Sequence, residues 1–156
     1  MFGFLKRKPR EIKAPIAGKL LDIESVDDEV FSQKMAGDGV AILPVGDIFV
    51  APIEGVITKI FSTNHAFSVK SKQDLEVLVH IGLETVALKG EGFERLANEG
   101  DTVKVGDPII KVDLDYIKAH AKDIVTPILV TDESKFDTIK KYDTVVKNGD
   151  LIMEVN

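Results

Sequence analysis

From residue 11 onward, short apolar runs rich in Val and Ile alternate with Gly, Pro, Asp and Asn at spacings of roughly eight to twelve residues, the punctuation of a sandwich or barrel. Residues 18–23, 39–44, 55–60, 108–112, 126–131 and 151–155 are such runs. Strand side chains alternate between faces, so residues 75–81 place Leu75, Val77, Val79 and Ile81 on one uniformly apolar face. Glu76, Leu78 and His80 fall on the other. Helical spacing is rare. Asp113 is placed to cap a helix over 114–122, and shorter helical turns are expected at 27–34, 92–98 and 134–140. The pattern predicts an all-β protein, an antiparallel β-sandwich with a few short helices.

Two internal echoes refine this. Ala14-Pro15-Ile16-Ala17-Gly18 recurs as Ala51-Pro52-Ile53-Glu54-Gly55, and residues 101–110 recur with one insertion as 143–152. In both copies of the second echo a Gly-Asp pair separates a Val-rich run from another apolar run, which predicts a hairpin. Pseudo-repeated hairpins in a pseudo-symmetric sandwich account for both echoes.

Composition narrows the function. A chain of 156 residues, 44% hydrophobic and 29% charged, is sized and balanced for one folded domain. A net charge of −6 offers no basic surface for nucleic acid. The absence of cysteine excludes disulfides, thiolate zinc sites and cysteine nucleophiles, and fits a reducing cytoplasm. No apolar run approaches the ~20 residues of a spanning helix. Residues 1–10 read as a flexible amino-terminal segment ahead of a domain at 11–156. Phe2, Phe4 and Leu5 next to Lys6, Arg7, Lys8 and Arg10 give it at most a peripheral contact with an anionic membrane.

With no cysteine, the chemistry falls to two histidines fifteen positions apart, His65 and His80, each in a strand-like run. Antiparallel strands can bring them together. A neutral imidazole is nucleophilic near neutral pH and can take a phosphoryl group, which a second imidazole can stabilise by a hydrogen bond. The same pair can hold zinc, but two ligands fall two short of a tetrahedron, leaving Asp28, Glu84 or a partner's group to complete it. If the strand is continuous, Phe61, Thr63, His65 and Phe67 share a face and the Thr63 hydroxyl can orient His65; a turn at Asn64 would break this parity. Phe31, Phe61 and Phe67 are candidates for an apolar docking rim, although lone aromatics at strand spacing are more often core. His120, among lysines, is given no role.

On these residues the chain closely resembles the glucose-type enzyme IIA component of the bacterial phosphoenolpyruvate-dependent sugar phosphotransferase system. The resemblance rests on Ala14 to Gly18, Ala51 to Gly55, Val30-Phe31-Ser32-Gln33-Lys34-Met35-Ala36-Gly37-Asp38-Gly39, Thr63-Asn64-His65-Ala66-Phe67, Val79-His80-Ile81-Gly82-Leu83-Glu84-Thr85-Val86 and Leu88-Lys89-Gly90-Glu91-Gly92-Phe93, in that family's order and spacing. It implies an antiparallel sandwich with a shallow apolar active site. It implies that His80 accepts phosphate from the phosphocarrier protein HPr on Nε2 and passes it to a cysteine of the enzyme IIB domain of a sugar permease. By the same resemblance His65 stabilises the phosphoryl group, Thr63 orients His65, and Phe31, Phe61, Leu78, Asp28 and Glu84 meet partners. In some members of that family the two histidines hold zinc with a partner carboxylate, so a zinc ion on His65 and His80 is a further implication; regulatory protein targets belong to a separate reading. Glu84 stands where the family often has Asp, and Leu78 where an aromatic is common.

Three other readings stand beside it. A β-sandwich zinc peptidase would need a third ligand, and the residue two before His80 is Leu78. A biotinyl or lipoyl carrier would need a lysine at a hairpin tip in a Met-Lys-Met-like setting, where this chain has Lys34-Met35 before a Gly-rich turn. A regulatory module switched by phosphorylation is compatible with phosphoryl transfer.

Overall fold

The computed structural model describes residues 8–136, 139–142 and 144–156. Its strands are β1 (Arg10–Lys13), β2 (Gly18–Asp22), β3 (Asp38–Pro44), β4 (Ile48–Val50), β5 (Gly55–Ile60), β6 (Ala66–Lys70), β7 (Glu76–His80), β8 (Phe93–Arg95), β9 (Thr102–Val103), β10 (Pro108–Val112), β11 (Thr126–Val130), β12 (Ile139–Lys141), β13 (Val145–Val146) and β14 (Leu151–Val155). Eight form one sheet in the order β13-β2-β3-β11-β7-β6-β5-β9, faced by two three-stranded sheets, β1-β14-β12 and β4-β10-β8. Every pairing is antiparallel.

The main core lies between the large sheet and the two small ones, and unites Leu20, Ile42, Val69, Val77 and Ile128 with Ile12, Met153, Phe49 and Ile110. The expected faces of β7 hold: Leu75, Val77, Val79 and Ile81 are buried, while Glu76, Leu78 and His80 are half-buried on the outside. A second apolar cluster covers part of that outer face. In it Phe31, Ile23 and Val26 pack on Ala41 and Leu129, with Leu78 at the margin.

The echoes have a different cause from the one expected. The Gly-Asp turns are not hairpins, because β9 pairs with β5 while β10 pairs with β4 and β8. In the second copy β13 pairs with β2 while β14 pairs with β1 and β12. Each turn therefore carries the chain from the large sheet to a small one. It is held there by the other echo: Ala51 N–H donates to Asp107 O (2.9 Å) and Gly106 N–H to Ala51 O (3.0 Å), just as Ala14 N–H donates to Asp150 O (2.7 Å) and Gly149 N–H to Ala14 O (2.9 Å). Lys13 N–H to Pro52 O and Val50 N–H to Pro15 O, both 2.9 Å, join the two halves reciprocally, as an approximate two-fold requires. The repeated segments are partners, and the repetition is the symmetry of a sandwich.

Two expected helices exist. α1 (Glu29–Ser32) is capped by Asp28, whose Oδ1 accepts from Val30 N (2.9 Å) and Phe31 N (3.4 Å). α2 (Leu114–His120) is capped by Asp113, which accepts from Tyr116 N. The other two expectations are corrected. Residues 92–98 hold β8, because Phe93, Glu94 and Arg95 pair with Val112, Lys111 and Ile110; tertiary pairing overrides helical propensity here. Residues 134–140 hold the end of a 3₁₀ turn (Glu133–Lys135) and the start of β12, which pairs with β14.

Of the amino-terminal segment, residues 1–7 lie outside the described residues. Arg10 opens β1, its guanidinium 4.8 Å from the Phe136 ring centroid. No described helix is long and apolar enough to cross a membrane.

Candidate active site

His80 is the last residue of β7, and His65 directly precedes β6. Because these strands are antiparallel neighbours with Ala66 opposite His80, the two histidines arrive at the same end of the sheet. Ile81 N–H donates to His65 O at 2.8 Å and locks this register. The ring centroids stand 5.0 Å apart, with the planes inclined at 76°. Phe31 lies 4.9 Å from the His80 ring and Phe61 lies 5.3 Å from the His65 ring, so each imidazole is flanked by an aromatic.

Asn64 decides the geometry of His65. Its φ is +61°, a left-handed conformation that Asn tolerates better than most side chains, so residues 61–65 form a turn and not a continuous strand. Phe61 and Thr63 stay at the site. Phe67 does not: it is fully buried in the main core, on the face opposite His80, and leaves the expected docking rim. Thr63 reaches His65 within the turn, with Oγ1 2.5 Å from Nδ1.

His80 Nδ1 lies 2.8 Å from Gly82 O. A carbonyl only accepts, so Nδ1 carries the proton and, in the neutral ring, Nε2 carries the lone pair. Gly82 makes this contact with φ +75°, and a Cβ there would lie 2.7 Å from Thr85 Cγ2 and 2.8 Å from Asp123 O. The buried Thr85 hydroxyl donates to Ile81 O at 2.6 Å and braces the same loop. Gly82 and Thr85 both fall in the stretch Val79 to Val86 that carries the family resemblance, but the sequence did not assign Gly82 as the acceptor or Thr85 as the brace of the loop. A glycine two residues after a strand histidine is the signal in the sequence; its left-handed φ is set by the fold.

Both imidazoles hold their protons weakly. His65, only 3% exposed, is lowered from 6.5 to about 4, first by burial and then by the charge of His80. His80 is also lowered, chiefly by burial; the Gly82 carbonyl and the Asp28 carboxylate partly oppose the shift. Asp28 thus caps α1 and also acts electrostatically on His80. Leu78 sits beside His80 on the outer face, in the apolar cluster with Phe31. Glu84 is exposed, with φ +58°. Among the described residues no three metal-binding side chains converge, so His65 and His80 would supply only two ligands to a zinc ion.

Residues 10–136 match the family model described as phosphoenolpyruvate-dependent sugar phosphotransferase system, EIIA 1. The chain belongs to this family. It is 46% identical over 155 residues to the glucose-specific EIIA component of Haemophilus influenzae, covering 98% of this chain and 93% of that one. It is 51% identical over 142 residues to the glucose-specific EIIA component of Buchnera aphidicola, covering 91% of this chain and 84% of that one. The glucose permease IIA of Mycoplasma capricolum has the same fold, with a TM-score of 0.89 at 35% identity over 97% of this chain and 98% of that one. As an EIIA component, the chain is a phosphoryl carrier in sugar uptake and part of a phosphotransferase.

Proposed function

We propose that His80 carries the phosphoryl group, taking it from phospho-HPr in the cytoplasm and giving it to a cysteine of an enzyme IIB domain. The observation that carries this reading is the Nδ1–H···O=C bond to Gly82, which leaves Nε2 as the free nucleophile beside a second neutral imidazole. Nε2 bonds to phosphorus as the donor's P–N bond breaks. Nδ1 keeps its proton on the Gly82 carbonyl, and the positive charge gained by the ring is stabilised there and by Asp28. Attack by the acceptor thiolate breaks the new P–N bond and returns the ring to neutral. His65 serves as the hydrogen-bond donor: Thr63 donates to its Nδ1, which leaves Nε2–H to face a phosphoryl oxygen.

Phe31, Phe61 and Leu78 form an apolar floor from which a partner expels water, and Asp28 and Glu84 present charge to that partner. A zinc ion at this face would be held by His65 and His80 with a carboxylate from the partner, and no transfer step requires it. The names of the relatives indicate a sugar of the glucose or glucoside class.

The test is intact mass after incubation with phosphoenolpyruvate, enzyme I and HPr. One acid-labile, base-stable phosphoryl group on the wild type and none on His80→Ala is the expected result. A phosphoryl group on His65 or His120, or none on the folded wild type, overturns the reading.

A further inference from the structure

The turn that presents His65 is held from outside by Arg95, a residue of β8 in the neighbouring small sheet. Its Nε donates to Asn64 Oδ1 at 3.0 Å, and its Nη2 reaches Phe61 O at 3.5 Å. The guanidinium therefore spans the turn, from Phe61, where β5 has just ended, to the left-handed Asn64 next to His65. Inside the turn, Asn64 N–H donates to Phe61 O at 2.7 Å and Phe61 N–H to Ala66 O at 2.9 Å. One residue before the turn, Glu99 Oε1 accepts from Ile60 N at 2.9 Å, a second clamp from the segment that follows β8.

Arg95 is exposed, yet among the described residues it forms no ion pair, although Glu94 and Glu99 are close in sequence. Its planar fork is directed at two neutral oxygens of one turn. A fork of fixed geometry sets the position of what it grips, which a flexible point charge does not. Asn64 keeps a left-handed backbone that an asparagine tolerates, and the bond from Arg95 adds to what holds it there.

We propose that Arg95 is a positioning residue: by gripping Asn64 and Phe61 it holds the turn in the conformation in which Thr63 Oγ1 meets His65 Nδ1 and the His65 ring stands 5.0 Å from the His80 ring. Arg95 acts on the imidazole through the backbone and Asn64. The consequence for transfer rests on the role proposed above for His65; the effect on the ring itself does not.

The experiment compares Arg95→Ala, Asn64→Gly and the double variant. Glycine at position 64 accepts the left-handed backbone without strain but leaves the turn freer, so Asn64→Gly removes the Asn64 acceptor and keeps the Arg95 bond to Phe61 O, whereas Arg95→Ala removes both bonds and leaves the Asn64 backbone as it is. The first readout is the ¹⁵N spectrum of the imidazoles, which reports the proton on each ring nitrogen. The expected result is a single Nε2–H tautomer for His65 in the wild type and a mixture in both variants, with the His80 tautomer unchanged. The double variant should fall short of the sum of the singles, because both remove the Arg95–Asn64 bond. The second readout is single-turnover transfer from the phosphorylated protein to an enzyme IIB domain, expected to slow roughly tenfold, as for loss of one charge-assisted hydrogen bond.

A wild-type His65 spectrum in both single variants overturns the proposal, as does a double variant showing the sum of two independent effects. Slowed transfer with an unchanged His65 spectrum would make Arg95 a contact for the phosphoryl group or the partner, and also overturns it. A changed spectrum with unchanged transfer keeps the positioning and overturns the role proposed for His65.

Discussion

Replacing His65 by glutamine removes an imidazole that is neutral because the fold buries it, and the consequence can be worked out. In the unfolded chain His65 binds a proton near pH 6.5; in the fold it does so only near 4. Above about 6.5 the ring is neutral in both states and pH has no effect through it. As pH falls from 6.5 to 4 the unfolded state takes up the proton first, so stability declines, by at most about 1.4 kcal/mol per pH unit. The interval of roughly 2.5 units corresponds to about 3 kcal/mol, fully lost once the folded ring is protonated too. His65→Gln lacks this loss, while the other titrating groups, His80 included, remain in both proteins. Urea unfolding of the two proteins in steps from about pH 7 to pH 4 should therefore show curves that converge by about 3 kcal/mol. Whatever glutamine costs at neutral pH through the lost Thr63 contact is a constant offset and does not change the slope. Curves that stay parallel over the whole range would refute the account of a buried neutral imidazole, as would a His65 Cε1–H resonance titrating near 6.5 in the folded wild type.

Other consequences can be measured separately. Asp28→Asn keeps a side chain that caps α1 equally well but removes the charge that favours protonated His80, so the His80 titration midpoint should fall further; an NMR titration with an unmoved midpoint would exclude Asp28 as a cause. Gly82→Ala places a Cβ against Thr85 and Asp123 O in a left-handed conformation, and should destabilise the fold by about 1–3 kcal/mol in denaturant titrations. The same variant should loosen the Gly82 acceptor, so the His80 ring becomes a mixture of Nδ1–H and Nε2–H tautomers by ¹⁵N shifts. Gly106→Ala and Gly149→Ala sit at equivalent turns, with φ +92° and +86° and open space around each, so each should cost only the backbone penalty of about 1–2 kcal/mol. Thermal unfolding in which one variant is neutral and the other severe would show that the two turns are not equivalent.

How much of this was legible in the sequence follows from the range of the forces involved. The faces of β7 could be read from residues 75–81 alone, because side-chain alternation belongs to the strand itself. The cap at Asp113 could be read because a capping carboxylate satisfies an N–H group three residues away, whereas the same role of Asp28, inside the turn expected at 27–34, came from the structure. The histidine pair, and the all-β class around it, were visible for the same local reasons. The partners of each strand were not. The Gly106-Asp107 and Gly149-Asp150 turns look like hairpin turns in sequence, but their backbone groups are claimed by Ala51 and Ala14, far along the chain, and the strands part into different sheets. Residues 92–98 read as helical until β10 supplies a ladder for Phe93 to Arg95. Whether Thr63, His65 and Phe67 share a face is open in the sequence between a continuous strand and a turn at Asn64; the left-handed Asn64 decides for the turn, with Phe67 in the core and Thr63 on the imidazole. Residue types named the reacting groups; the packing of distant strands set their burial, their tautomers and their weak hold on protons, because desolvation and hydrogen-bond geometry exist only once the neighbours have arrived.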